Sequence, residues 1–213
     1  EYIVDGNFKV EQKGNAFGFA IHNNTTLSLR VYNTIFLNGG TVPTGRWVHV
    51  AAAWTTTSPN MAASFYIDGV QTGFDVQTAT TGINTDTLTI GGSRLFPFNY
   101  LNGYVDEVRL WNIPYNGSTI ALRRFTGIGD APNANADSAI VYGLYYRGLM
   151  GSWTFNIGGN SIYEDINNNV GFCRGSAAPV FTNIPSQPIP YNLVMNFTGR
   201  QYDYIKVPSS PAL

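Results

Sequence analysis

The sequence is poor in cysteine, in charge and in long apolar runs. Its single cysteine, Cys173, excludes an internal disulfide, so packing alone must hold the fold together. We expect that thiol to act as a small buried hydrophobe, with an intermolecular disulfide or a reactive thiol as alternatives. Charged residues make up 12% of the chain, against about 25% in an average globular protein. The net charge of −1 offers no basic face for nucleic acid or anionic lipid.

No run of about 18 apolar residues occurs, which argues against a transmembrane helix. A signal peptide is also missing, and Glu1 opens directly in a strand-like run. We therefore expect a processed or truncated polypeptide. Asn, Thr, Gly and Tyr take the place of the missing charges, a composition typical of secreted or cell-surface β proteins.

The 213 residues suit one large β-sandwich or two small domains, and the 44% hydrophobic fraction is enough for a core. Short alternating apolar runs between Gly and Asn turns predict many strands. The one helix predicted spans residues 118–125, with Ser118 as its cap. Residues 126–147, rich in Gly, Ala, Asn and Pro over much of their length, predict a linker or a long loop. The predicted core side chains are Trp47, Val50, Phe65, Ile67, Leu88, Ile90, Val108, Leu110, Trp153, Phe155 and Phe197.

Four motifs follow one another in the first part of the chain. They are Arg-Trp-Val-His-Val-Ala at 46–51, Phe-Tyr-Ile-Asp-Gly at 65–69, Ile-Gly-Gly at 90–92 and Gly-Tyr-Val-Asp-Glu-Val-Arg-Leu-Trp-Asn at 103–112. In this order and spacing, residues 2–125 resemble the larger, C-terminal part of a laminin-G-like module. The resemblance implies a concanavalin-A-like fold: an all-β, two-sheet antiparallel jelly-roll sandwich with one short helix. It also implies an extracellular, non-catalytic role.

The tail, residues 148–213, resembles the beginning of the same module. The resemblance rests on segments 148–155, 163–169, 194–199 and 202–208, and it departs from the family pattern at Thr198, where Asp is usual. Along the sequence, the segment that resembles the beginning of the module therefore comes after the segment that resembles its end. The tail is either part of the same module in permuted order or the start of the next module in an array.

One apolar strand that the family carries between these two parts has no counterpart in the sequence. Three explanations stay open: one period of a tandem array, a circular permutant, or a subunit whose missing strand comes from a neighbour. A sandwich without a core strand exposes apolar surface and an open sheet edge. We therefore expect contact in trans with other copies or neighbouring modules of the same protein.

Catalytic constellations are hard to find. The two histidines are His22 and His49, and His49 falls in a motif where the family's histidine packs or bonds locally. Glycosidases of this fold need two carboxylates on one strand face. Asp106 and Glu107 are adjacent in sequence, so in a regular strand their side chains point to opposite faces. We expect no enzymatic activity.

Calcium is the expected cofactor, in a structural role. Asp106 lies in phase with the apolar residues of its predicted strand, and a carboxylate facing inward needs a partner. Asp165 and Asn167 supply oxygen ligands of the kind that Ca²⁺ prefers, and related modules often hold Ca²⁺ near this place. The alternative is that Asp106 accepts backbone N–H bonds and Asp165 caps a turn.

Aromatic side chains that stack on sugars are a second candidate site. Phe96, Phe98 and Tyr100 lie together in one loop and form the predicted platform, unless they cover the sandwich or a subunit contact. The sequence leaves three hypotheses about function. The first is an extracellular structural or adhesive repeat of a surface protein or filament. The second is a glycan-binding, lectin-like module, and the third, remote one is a glycoside hydrolase.

Overall fold

The computed structural model describes residues 2–5, 17–23, 25–32, 34–78, 87–92, 100–124, 147–155, 161–163, 170–181, 193–198, 200 and 204–207. In this part of the chain there are sixteen strands and one short helix. The elements are β1 (Tyr2–Asp5), β2 (Phe17–His22), β3 (Thr26–Val31), β4 (Thr34–Phe36), β5 (Val50–Thr57), β6 (Asn60–Ile67), β7 (Val70–Thr78), β8 (Leu88–Ile90), β9 (Asn102–Val105), β10 (Val108–Trp111), α1 (Gly117–Arg123), β11 (Leu149–Trp153), β12 (Ser161–Tyr163), β13 (Val170–Arg174), β14 (Ala178–Phe181), β15 (Leu193–Thr198) and β16 (Tyr204–Val207).

All the strand ladders are antiparallel. The largest sheet has eight strands in the order β12-β13-β16-β8-β1-β2-β3-β4, and three smaller sheets are β14-β15-β9, β10-β11 and β5-β6-β7. The predicted fold class, an all-β antiparallel sandwich of the concanavalin-A-like type with one short helix, is confirmed. No helix in the described residues is long and apolar enough to cross a membrane.

The tail strands pair with strands from the first part of the chain. Val108 lies opposite Trp153 in the β10–β11 ladder, Val105 lies opposite Met195 in the β9–β15 ladder, and Ile90 lies opposite Ile205 in the β8–β16 ladder. These three ladders place residues of the tail on both layers of the sandwich. Strands that resemble the beginning of a laminin-G-like module thus pair, within one chain, with strands that resemble its end.

Two hydrophobic cores fill the sandwich. The first lies where β8 and β16 face β9, β10, β11 and β15, and the second lies where β3 and β4 face β6. The first core consists of Leu88, Ile90, Leu101, Val105, Val108, Trp153, Phe155, Ala177, Met195, Phe197 and Ile205. The second core consists of Leu27, Leu29, Val31, Phe36, Met61, Ala63, Phe65 and Ile67.

Most of the predicted core residues belong to one of these cores. Trp47, Val50 and Leu110 are the exceptions, because each is only partly buried. Val50 and Leu110 still pack against the second and first core, respectively. Cys173 packs against the edge of the first core, where burial raises the pKa of its thiol. It therefore behaves as a small hydrophobe in the described structure.

Two local features differ from the sequence-based expectation. The helix spans Gly117–Arg123 and begins one residue after Asn116, whose side-chain oxygen accepts the Thr119 N–H at 3.0 Å. The N-cap of the helix is therefore Asn116 and not, as the sequence predicted, Ser118. The hydroxyl of Ser118 donates to Asn116 Oδ1. Glu107 has a φ of 54°, so the chain turns between β9 and β10 rather than running on as one strand.

Candidate functional site

The turn between β9 and β10 holds the one predicted calcium ligand that the structure describes. Asp106 is half-buried there, and its Oδ1 accepts the N–H of Glu107 at 2.9 Å. Because Glu107 is left-handed, the alternation of β10 does not extend back to Asp106, so the inward phase inferred from the sequence loses its basis. Asp165 and Asn167 lie outside the described residues. Within the described ranges no three His, Cys, Asp or Glu side chains cluster as a metal site, and the calcium site stays a prediction.

The predicted sugar platform is described at one residue only. Tyr100 is 5% exposed, so the expectation of an exposed ring at this position is wrong. Tyr100 directly precedes Leu101, which belongs to the first core. The Leu101 N–H donates to the carbonyl oxygen of Gly91 at 2.8 Å, which holds this segment against β8. Phe96 and Phe98 lie outside the described residues, and their contact with a sugar stays a prediction.

Asp68 is the centre of a polar cluster that joins two of the sequence motifs. It occupies the turn between β6 and β7 with a φ of 51°. Its carboxylate accepts the guanidinium of Arg46 at 2.7 Å and the backbone N–H of His49 at 3.0 Å, and its own N–H binds the carbonyl oxygen of His49 at 2.8 Å. Burial raises the pKa of Asp68, but the bonds from Arg46 and His49 outweigh it and hold the pKa below its ordinary value. Asp68 therefore fixes the entry to β5.

His49 belongs to the same cluster, and its imidazole is neutral at physiological pH. Its pKa is lowered from 6.5 to about 4, first by burial and then by the positive charges of Arg109 and Arg124, while Asp68 acts in the opposite direction. Its Nδ1 is buried and has no hydrogen-bond partner among the described residues. A hydroxyl or thiol nucleophile does not bond to it in that part of the chain, so the pairing typical of nucleophilic catalysis is missing there.

A second ion pair lies on β10. Arg109 bonds to the carboxylate of Glu107, and the two side chains are only 14% and 9% exposed. Arg109 also donates to the carbonyl oxygen of Arg123 at 3.4 Å, which ties β10 to the last turn of α1. The two carboxylates at 106 and 107 therefore stabilise the turn and its strand instead of facing each other across a cleft. Two carboxylates that cleave a glycosidic bond must flank it about 5–9 Å apart.

The helix α1 closes one end of this cluster. A side chain at Gly69 would meet the Arg124 guanidinium at 2.5 Å and Ala121 Cα at 2.8 Å, so the helix packs directly on the β6–β7 turn. The Arg123 guanidinium carbon lies 5.0 Å from the centre of the Trp111 ring and 4.4 Å from that of Tyr115, both cation–π distances. The motif residues of the sequence thus meet at one end of the sandwich and bind each other.

Sequence reasoning missed the pairing of two members of this cluster and the residue that caps α1. Arg46 and Asp68 stand in different motifs, and nothing in either motif shows that their side chains pair across 22 positions. Asn116 did carry a signal, because Asn directly before a helical segment is a favoured cap.

The comparisons agree with this geometry. Residues 2–121 match the family described as Laminin_G_3, the concanavalin A-like lectin/glucanases superfamily. Neither a curated protein nor a solved structure matches the chain. The family match covers more than half of the 213 residues and includes every motif whose side chains meet around Asp68 and Arg109. The chain therefore belongs to the laminin-G-like family of the concanavalin A-like lectin/glucanase superfamily.

Proposed function

We propose that this chain is a non-catalytic structural and adhesive module of an extracellular protein or surface filament. The proposal rests on one observation: the charged residues of the sequence motifs bond to one another and to the backbone. Asp68 binds Arg46 and the backbone of His49, and Glu107 binds Arg109. Side chains engaged in this way stabilise turns and strand ends, and these four charged residues offer no carboxylate pair that flanks a substrate bond.

The membership of the superfamily makes hydrolysis the first activity to test, because the superfamily name includes glucanases. We expect no release of reducing ends from β-glucan, xylan, chitin or hyaluronan by the purified chain over a range of pH. Activity that disappears in Glu107→Gln and persists in a matched control, Asp75→Asn on β7, would overturn the proposal. Asp75 suits the control because it lies on a different sheet and bonds to Gln77.

The adhesive part of the proposal is tested by binding. On a glycan array we expect no binding at millimolar affinity or better, and by electron microscopy we expect ordered end-to-end assemblies. Glycan binding that vanishes in Phe98→Ala would instead favour the lectin-like function. Tyr100→Phe serves as the control, because it keeps the buried ring and removes only the hydroxyl.

We also propose that the first 125 residues and the tail after residue 147 fold as one module. The ladders β9–β15, β10–β11 and β8–β16 support this arrangement. Cutting the chain by limited proteolysis between residues 126 and 147 tests it. We expect the two fragments to stay together in gel filtration and to separate only in denaturant.

A further inference from the structure

Two strands of the sandwich, β5 and β10, each have one edge without a paired strand among the described residues, and the two edges border the same region. Among the described residues, β5 is laddered to β6 alone and β10 to β11 alone. The two strands are close at one end: Arg109 on β10 donates to the carbonyl oxygen of Arg123 in α1, and α1 packs on Gly69. The neighbouring Asp68 accepts the backbone N–H of His49, the residue just before β5. An open edge presents a row of backbone N–H and C=O groups that pairs readily with another strand. We call the region between β5 and β10 the gap.

The two hydrophobic cores adjoin beside β5 without merging. Phe17 of β2 packs against the first core and Phe19, two residues on, packs against the second. The Phe17 ring lies 5.6 Å from the Trp54 ring of β5, so β2 in the opposite sheet forms the floor of the gap. A sandwich of this size normally has one contiguous core. Inward side chains from a strand placed in the gap would join the two.

The strands that border the gap are apolar but incompletely buried. In β5, the run Val50 to Trp54 is partly exposed at every position, although Val50, Ala52 and Trp54 face the second core. In the neighbouring β6, Met61, Ala63 and Phe65 are each at most 1% exposed. Both strands contribute to the same core, so the difference arises from the missing neighbour on the open side of β5.

One end of the gap holds buried polar atoms that need a partner. Trp47 Nε1, His49 Nδ1 and Arg109 Nε are each buried and make no hydrogen bond within the described residues. A buried donor without a partner costs about 1–3 kcal/mol, and more where it is charged. Arg109 and Arg124 make this end positive at His49. An occupant that carries a carboxylate at this end would accept a hydrogen bond from Arg109 Nε, which is always a donor.

From the open edges, the divided core and the unsatisfied donors, we propose that the gap is an acceptor for a β-strand added in trans. The occupant is an extended peptide segment with alternating apolar side chains and one acidic side chain that faces Arg109. This inference rests on the proposed function, because it names the place and the chemistry by which the module joins a neighbour. Backbone ladders to β5 and β10 give the strand its affinity, and the carboxylate fixes its register.

Hydrogen exchange on the unmodified, dilute monomer is the first test. We expect the amides on the open edges of residues 50–57 and 108–111 to exchange faster than those of β6. Protection of both edges in the monomer would show that its own chain already fills the gap, and it would overturn the proposal. This measurement needs no variant and so does not depend on the folding of a mutant.

A peptide of the length of β5, eight residues, is the second test. Its sequence alternates Val and Thr with one central Glu, and a matched peptide carries Gln instead. Trp54 lies on β5 and Trp111 on β10, so we expect a blue shift of tryptophan fluorescence on binding. We expect the Glu peptide to bind about fivefold more tightly than the Gln peptide, since a charged hydrogen bond exceeds a neutral one by about 1 kcal/mol.

The variant Arg109→Gln should bring the affinity ratio of the two peptides close to one, and the control Arg174→Gln, exposed on β13, should leave it unchanged. Absence of any fluorescence or melting-temperature change with either peptide would overturn the proposal. So would a stable dimer of the parent chain that neither peptide displaces, because the occupant would then be a second copy paired edge to edge. Hydrolytic activity would overturn the proposed function instead, whatever the state of the gap.

Discussion

Acid should destabilise this protein through His49. The pKa of His49 is lowered from 6.5 to about 4 in the folded chain, first by burial and then by Arg109 and Arg124. A histidine with a depressed folded pKa binds fewer protons in the native state than in the unfolded state between those two values. The free energy of unfolding therefore rises with pH across this window, and the stabilisation is lost as the pH falls from 6.5 toward 4.

The shift sets the size of the effect. Each pKa unit corresponds to about 1.4 kcal/mol, so the full difference amounts to about 3 kcal/mol. Some solvent screening remains because His49 is not fully buried, and we expect roughly 1–3 kcal/mol to be lost between pH 7 and pH 4. Asp68 does not account for this loss, since its pKa also lies below its ordinary value of 3.8 and its own stabilisation is lost only in more acidic solution.

Urea denaturation followed by tryptophan fluorescence measures the effect at about pH 7 and about pH 4.5. The variant His49→Gln keeps a polar side chain that does not titrate, and we expect it to lose much less stability over this range than the parent. The matched control is His22→Gln, at the exposed second histidine, which should behave as the parent does. Equal losses in the parent and in His49→Gln would refute the burial of a neutral imidazole at the end of β5.

Three further predictions concern single positions. Gly91→Ala should unfold at a distinctly lower denaturant concentration than Gly45→Ala. Both glycines are left-handed, a conformation that costs an alanine about 1–2 kcal/mol. Only at Gly91 would the added Cβ also clash, because it would lie 2.1 Å from the Phe197 ring, whereas a Cβ at Gly45 meets nothing within 4 Å. Equal midpoints would contradict the packing of Phe197. Asn116→Ala should cost about 1 kcal/mol by loss of the helix cap, and Asn116→Asp, which retains the acceptor, should restore most of it in the same denaturation assay. If calcium binds at Asp106, chelation should lower the melting temperature by several degrees in the parent but not in Asp106→Asn, and a parent curve indifferent to the chelator would remove the site.

The sequence alone was sufficient for the fold class and for most of the core. Period-two alternation and Gly or Asn turns predict strands because side chains of a strand alternate between two faces, and residues such as Phe65, Ile90 and Trp153 are buried as that pattern predicts. The ordered motifs identified the family, which the match over residues 2–121 confirms. The ladder between Leu149–Trp153 and Val108–Trp111 joins the tail to the first part of the chain.

The tertiary structure decided how the parts meet. Alternation assumes a continuous strand, so it does not apply at Asp106, where the left-handed Glu107 turns the chain. Burial depends on neighbours distant in sequence, and this is why Tyr100 is buried and the apolar run of β5 remains partly exposed. The pairing of Asp68 with Arg46 and the lowered pKa of His49 arise from charges that only the folded chain brings together. Local sequence sets strand propensity and period, whereas the distances between side chains on different strands are set by the packing of the whole sandwich.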